Sequence, residues 1–297
     1  MATSRIVSEH PIDLRRTLFP LIRGTGDPTT KVDGPTVVRA LRTSDGNATL
    51  RMIQRGRRAI AADAWGPGAD RAIEDVAPGL AGALDHPEAF EPRDELVRAL
   101  WRDHRSAVLT RTDPFPVLVA AILEQKVQGA EARRAWREIV MATADPAPGD
   151  AGLRLPPDPE RLAQLPSWQL TRLGVVRGRA ASLREVARHP KKIGALASAP
   201  IDEARAFLTK LPGVGPWTIG EVCRLALGDP DAVSVGDYHL PHIVAWAFAG
   251  EARGSDERML QLLEPYRGQR GRVQVLLEAS GITAPAFGPR MERRSFV

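Results

Sequence analysis

Residues 211–220 read LPGVGPWTIG, and residues 233–241 read VSVGDYHLP. A Pro-Gly-Val-Gly turn thus separates two helical patterns, over 202–210 and 216–227, and a single aspartate, Asp237, then sits in an apolar stretch. Leu211 and Pro212 close the first pattern and Pro216 opens the second, a position that suits proline. Gly213 and Gly215 both allow backbone conformations of positive φ, without a Cβ penalty. Two glycines also let a phosphodiester approach main-chain N–H groups, and the helix starting at Pro216 adds free donors and its dipole. Such a turn clamps phosphate without reading sequence. Taken alone, Gly-x-Gly reads first as a tight helix–helix turn with a glycine cap. Asp237 alone reads first as an N-cap for the helix predicted over 240–249.

Outward from the hairpin the chain has two textures. TVVRALRT, ATLRMIQR and RRAIAADA, between residues 36 and 64, read as strands punctuated by Ser44-Asp45-Gly46-Asn47 and Gly56. Leu50, Met52, Ile60 and Ala62 are expected to face a core, and a helix is expected over 69–84. From about residue 93 the apolar spacing is helical, beginning with Leu96, Val97, Leu100 and Trp101. PFPVLVAAILEQ (114–125) reads as an apolar helix with Pro116 in its first turn, and AEARRAWREIVMAT (130–143) as the next helix. After a Pro/Gly-rich loop over 145–159, short helices are predicted at 159–165, 167–173, 177–188 and 191–197, and later ones at 255–264 and 271–279. The expected division is an N-terminal antiparallel sheet and helix domain over 1–90, ahead of a helical body over 91–297.

Bulk properties narrow the function classes. At 297 residues the chain can bury a sizeable core. A net charge of +5 and a pI near 9.8 permit a polyanionic partner without requiring one. One cysteine, Cys223, excludes an intrachain disulfide framework and a four-cysteine iron–sulfur site, and fits a reducing compartment. Cys223 itself reads as a small buried hydrophobe. The N-terminus MATSRIVSEH has no apolar core of a signal peptide, and no run of about 20 apolar residues suggests a membrane span. His239 and His242 have no companions at metal-ligand spacing, so no zinc site is read. Arg133, Arg134 and the tail RMERR (290–294) read as solvated faces.

Hairpin and aspartate together carry more than either alone. Leu-Pro-Gly-Val-Gly-Pro-Trp-Thr, with Asp237 standing 24 positions after Gly213, resembles the helix-hairpin-helix DNA glycosylase superfamily. Within it the chain looks most like the inducible bacterial 3-methyladenine DNA glycosylases of the AlkA type. The likeness is strong over 115–130 and 203–243 and weak over the first 90 residues, although that type also carries an N-terminal sheet domain.

The resemblance implies a mainly helical fold and a set of roles. Asp237 would be the catalytic carboxylate, stabilising the cationic sugar that forms as an N-glycosidic bond breaks. Gly213, Val214, Gly215 and Thr218 would form the phosphate clamp. The EQKVQG turn (124–129) would add Gln125, either bonded to a neighbouring base or capping its helix, and Lys126, either filling the gap left by a flipped nucleotide or simply solvated. Bifunctional members place a Schiff-base lysine where this chain has Trp217, so hydrolysis by water is implied, without strand cleavage. Trp217 and Tyr238 match aromatic pocket positions, where stacking and cation–π attraction would select a cationic alkylated purine; simple packing is the alternative.

Two departures bear on the pocket. Glu221 stands where the family often has an aromatic residue, and Gln269, within YRGQRGR (266–272), stands where a stacking tryptophan would be. The implied pocket is less aromatic and more acidic, with Glu221 able to attract a cationic base. The expected partner is double-stranded DNA with damaged bases, bound by a monomer in the cytoplasm at the nucleoid. No organic cofactor and no iron–sulfur cluster is implied, and a structural monovalent cation at the hairpin is left open. A non-catalytic damaged-DNA binder and an 8-oxoguanine enzyme are the competing readings; the intact Asp237 opposes the first and Trp217 the second.

Overall fold

The computed structural model describes residues 1–285, so the RMERR tail lies outside the described residues. Five antiparallel strands form the N-terminal sheet: β1 (Ala2–Val7), β2 (Thr30–Asp33), β3 (Thr36–Thr43), β4 (Gly46–Gly56) and β5 (Ala59–Trp65), in the order β1-β5-β4-β3-β2. The three central strands are the ones the alternation predicts, and Leu50, Met52, Ile60 and Ala62 are buried as expected. β1 and β2 escape the sequence reading for one reason. Both are edge strands, where polar and charged residues are tolerated and blunt further pairing, so their apolar alternation is weak. The helix expected over 69–84 is broken by a π turn at Ala72–Val76 and ends at Leu80.

The helices that build the site are α1 (Glu95–His104), α2 (Pro114–Glu124), α3 (Gly129–Thr143), α4 (Arg177–Val186), α5 (Ile201–Thr209), α6 (Pro216–Ala226), α7 (Leu240–Ala249), α8 (Asp256–Leu263) and α9 (Arg270–Ser280). Helix α2 is apolar all round because it is the central beam. Every residue from Pro114 to Leu123 is buried, and the Asp113 side chain caps its start by accepting from the Phe115 amide at 2.9 Å. None of the helices among the described residues is long and apolar enough to cross a membrane.

Side chains sort into two cores. The larger joins the sheet, through residues such as Val37, Leu50 and Met52, to α2, α4 and the hairpin helices. The smaller gathers Phe90, Val97 and Leu100 against Val244, Met259, Leu263 and Leu276, so α1 packs with α7–α9 far along the chain. Residues 266–272 tie this smaller core down at three points. Tyr266 donates its hydroxyl proton to the Asp94 carboxylate and accepts from the amides of Arg93 and Asp94 at 3.0 and 3.2 Å. Arg270 pairs with Asp231, whose Oδ1 also accepts the Gly268 amide at 2.8 Å. Arg272 donates two hydrogen bonds to Asp85 at 2.9 and 2.7 Å, and both side chains are almost fully buried.

Burial works against the Asp85 carboxylate, but the Arg272 hydrogen bonds and charge, with the Leu109 and His86 amides, outweigh it and hold its pKa below the ordinary carboxylate value. The resulting stability is present above the unfolded-chain value of about 4 and is lost as pH falls through the lower folded value. Arg272→Ala strands a buried charge, so it is expected to lower the unfolding free energy at neutral pH by about 3–5 kcal/mol. Denaturant titration checks this, and a loss under about 1 kcal/mol would show that the pair is dispensable.

Candidate active site

The hairpin joins α5 to α6. Gly213 takes φ +76°, and a Cβ built there would lie 2.0 Å from the Ser182 Oγ of α4. The second glycine does not use its left-handed freedom. Gly215 is extended, at φ −97° and ψ −179°, and its Cβ direction meets nothing within 4 Å. Only Gly213, then, is required by the fold's own backbone. Gly215 sits at the N-cap of α6 without any side-chain cap, so its bare face leaves the Trp217 and Thr218 amides at the first turn of α6 without intrahelical acceptors. Val214 is buried in the larger core and anchors the tip.

The 124–129 turn is fastened to the hairpin. Gln125 Nε2 donates to the Gly213 carbonyl at 2.8 Å and to the buried Thr218 Oγ1 at 2.9 Å. The Gln125 amide group is thus engaged with the hairpin and does not cap its own helix. Lys126 follows at φ +51°, the only non-glycine residue of positive φ among the described residues, and it is exposed. A long side chain held in this sparsely populated conformation marks a turn whose shape is set by its surroundings.

Asp237 lies at the seam of the two cores. Ala232 belongs to the larger core and Val233 and Leu240 to the smaller, so the chain crosses from one to the other just before the carboxylate. Asp237 Oδ1 accepts from the amides of His239 and Leu240 at 2.7 and 2.8 Å, capping α7, while Oδ2 accepts from the Trp217 indole N–H at 3.0 Å. The bonds to the start of α7 and the bond to the indole thus engage different oxygens of one carboxylate. Tyr238, next in sequence, is 71% exposed and meets His239 edge-on at 4.9 Å, so its ring is a surface platform and not part of a core.

The two pocket departures have structural partners. Glu221 Oε1 accepts from Arg224 Nη2 at 2.9 Å and from the Ser234 hydroxyl, so its charge is already paired. Burial alone would depress the Arg224 guanidinium, but the carboxylates of Glu221 and Glu278 more than offset it and leave its pKa raised. Gln269 turns its Oε1 to Arg272 Nε at 2.9 Å and supports the buried Arg272–Asp85 pair. Neither side chain is presented as a free pocket wall. Sequence reasoning missed Arg224 and Ser234; the i,i+3 spacing of Glu221 and Arg224 on one helix was the available signal. Glu124, also missed, pairs with Arg23 at 2.9 Å, and burial, reinforced by Glu221, pushes its pKa above the ordinary value.

A cavity of about 520 Å³ lies elsewhere, between the end of β1 and residues 83–88, and none of its lining residues belongs to the hairpin or the Asp237 segment. Cys223 is fully buried, and burial lifts its thiol pKa to about 12, which leaves it inert.

Residues 119–267, half of the chain, match the family of HhH-GPD superfamily base excision DNA repair proteins. The chain belongs to the HhH-GPD superfamily. The hairpin, the 124–129 turn, Glu221, Asp237 and Tyr238 all fall inside the HhH-GPD match, and Gln269 falls just beyond it. No curated protein matches the sequence. Among solved structures, the fold is similar to that of the 3-methyladenine DNA glycosylase from Archaeoglobus fulgidus, at 20% identity and TM-score 0.78, over 92% of this chain and 97% of that one. It is also similar to the 8-oxoguanine glycosylase/lyase from Clostridium acetobutylicum, at 13% identity and TM-score 0.67, over 94% and 96% of the two chains. At these identities the likeness concerns the HhH-GPD fold with its N-terminal sheet.

The two glycines differ in what the fold asks of them. Gly213→Ala meets both a left-handed backbone and Ser182, so it is expected to cost about 1–3 kcal/mol of stability. Gly215→Ala is expected to stay within about 0.5 kcal/mol of wild type. Thermal and denaturant unfolding of both variants measures the difference; equal losses would contradict the hairpin geometry.

Proposed function

We propose that this protein is a monofunctional DNA glycosylase that hydrolyses the N-glycosidic bond of alkylated purines, of the 3-methyladenine and 7-methylguanine type. The observation that carries this reading is Asp237, a carboxylate pinned by three neutral N–H donors one short loop beyond an HhH-GPD hairpin. The partner is double-stranded DNA containing damaged bases, bound by a monomer. The hairpin holds a phosphate through the first amides of α6, and the bare face of Gly215 gives that phosphate room. Lys126 reaches toward the space left by the extruded nucleotide, and Trp217 and Tyr238 meet its base.

Chemistry follows from the leaving group. An N3- or N7-alkylated purine carries positive charge, so the C1′–N bond breaks with its electron pair leaving on a neutral base. The sugar is left as an oxocarbenium-like cation, which the Asp237 carboxylate stabilises. Water then bonds to C1′ and gives up a proton. Trp217 offers no amine, so no Schiff base forms and the strand stays intact at an abasic site. Pairing of Glu221 with Arg224 leaves base discrimination to the two aromatic rings.

Asp237→Asn keeps one carbonyl oxygen for the His239 and Leu240 amides and removes the charge. Single-turnover release of 3-methyladenine or 7-methylguanine from methylated duplex is expected to fall by at least about 10²-fold, with DNA binding retained and stability changed by about 1 kcal/mol or less. An unchanged rate would reduce Asp237 to a helix cap. Wild-type protein that releases no base from any alkylated duplex would remove the enzyme reading, and a borohydride-trapped adduct would show an amine nucleophile instead of water.

Gly215→Ala, which leaves the fold intact, is expected to weaken binding to all duplexes alike. Binding by wild type should fall with salt at a log–log slope of about −4 to −5, as for roughly 4–6 neutralised phosphates. Filter or fluorescence binding at several salt concentrations reads both; equal affinity of variant and wild type would remove the clamp.

A further inference from the structure

Trp217 matches an aromatic pocket position, yet its polar atom already has a partner. A carboxylate offers about four lone-pair directions. In Asp237, Oδ1 spends two on the His239 and Leu240 amides, at 2.7 and 2.8 Å, and Oδ2 spends one on the Trp217 indole, at 3.0 Å. The remaining direction therefore belongs to the oxygen that the indole holds. Backbone donors on Oδ1 alone would leave Oδ2 free to swing about that anchor. The indole N–H, arriving from a different helix, fixes the plane of the group.

We propose that Trp217 is a positioning residue for Asp237, its indole N–H setting which edge of the carboxylate faces the sugar. This rests on the glycosylase reading for its rate consequence and on geometry alone for the hydrogen bond. Trp217 is well placed to act as a fixed arm. It stands in the first turn of α6, half-buried, and the next residue, Thr218, is buried and holds Gln125 Nε2 at 2.9 Å. Gln125 also binds the Gly213 carbonyl at 2.8 Å. A hydrogen-bonded path thus runs from the 124–129 turn through the hairpin to the helix that carries the indole. The contact also crosses the seam, since the hairpin packs with the larger core and α7, which Asp237 caps, with the smaller. A change in the gap between the cores would therefore alter the orientation of Asp237 directly.

The alternative role, stacking on the base, needs the ring and not the N–H. Trp217→Phe separates the two, because it keeps an aromatic face and deletes the donor. Positioning predicts a loss of about 10-fold or more in the single-turnover rate, with the dissociation constant for lesion duplex within about 2-fold of wild type. In an Asp237→Asn background the same change should cost the rate little further, because the residue acts through the carboxylate. Wild-type rate in Trp217→Phe, a matching loss of rate and binding, or full additivity with Asp237→Asn would each overturn the proposal. A readout independent of activity is the indole proton. In ¹⁵N NMR the Trp217 Nε1–H should exchange slowly in wild type, and in Asp237→Ala it should shift and lose protection. An indole proton indifferent to Asp237→Ala overturns the proposal even if no base is ever released, whereas failure of base release with an intact indole signature strikes only the glycosylase reading.

Discussion

Asp237 accepts three N–H donors that come from two packing units, two from the start of α7 and one from α6. Each donor is neutral, so the carboxylate is oriented by dipoles and not by a contacting cation. That single arrangement requires the rest of the site to be where it is. Helix α7 must begin at Leu240 with His239 as its N-cap, α6 must present its second residue toward the seam, and the loop between them must cross from the larger core to the smaller. The hairpin satisfies the second condition, since the left-handed Gly213 against Ser182 fixes the direction in which α6 departs.

The segment 266–272 shows how a departure from a familiar pattern can be structural in content. Tyr266, Arg270 and Arg272 each reach a different part of the chain, at Asp94, Asp231 and Asp85. Two of those partners precede or open α1, the helix that completes the smaller core. The polar residues that replace an expected aromatic surface thus lock the C-terminal helices to residues before 105. Gln269 belongs to this lock through Arg272, which explains why an uncharged residue of modest size serves there.

Much of this was legible in the sequence, for physical reasons that differ by element. The hairpin, α2 and the central strands announce themselves because each is dictated by local chemistry: proline and glycine at a turn, an unbroken apolar run, alternation on a half-buried sheet. The hydrogen bonds of Asp237 to the start of α7 follow from its place before that helix, whereas its indole partner Trp217 was not legible as such. Edge strands β1 and β2 were illegible because their composition answers to solvent and not to a core. The partners of Glu221, Gln125 and Gln269 were illegible for another reason. Glu221 and Gln125 each bond a residue beyond helical reach, Ser234 and Gly213, and Gln269 bonds its near neighbour Arg272, whose own partner Asp85 lies far back in the chain; no periodicity reports such pairings. Gly215 is instructive. Two glycines in one turn allow two left-handed residues, but only the first is left-handed; the second is extended and its missing side chain faces open space. The fold does not need glycine at that position, which is consistent with the phosphate approach proposed for it.

Electrostatics around the seam sharpen the distinction between Asp237 and the acids near it. Glu124 faces Arg23, and Glu221 and Glu278 share the buried Arg224. Placing carboxylates beside guanidinium groups meets the cost of burying them, and it also cancels the field they would project. Asp237 is treated differently, with backbone and indole dipoles in place of a cation in contact. Dipoles fix orientation and lower the desolvation cost while leaving the net charge unspent. In the proposed reaction, a transition state that develops positive charge on a sugar would gain more from a carboxylate held by dipoles than from one already matched to arginine. Arg224, which also feels Asp237 at longer range, is in contact with Glu221 and Glu278 and not with Asp237, so the pairing of those two acids and the dipole-held Asp237 are separate arrangements within one neighbourhood.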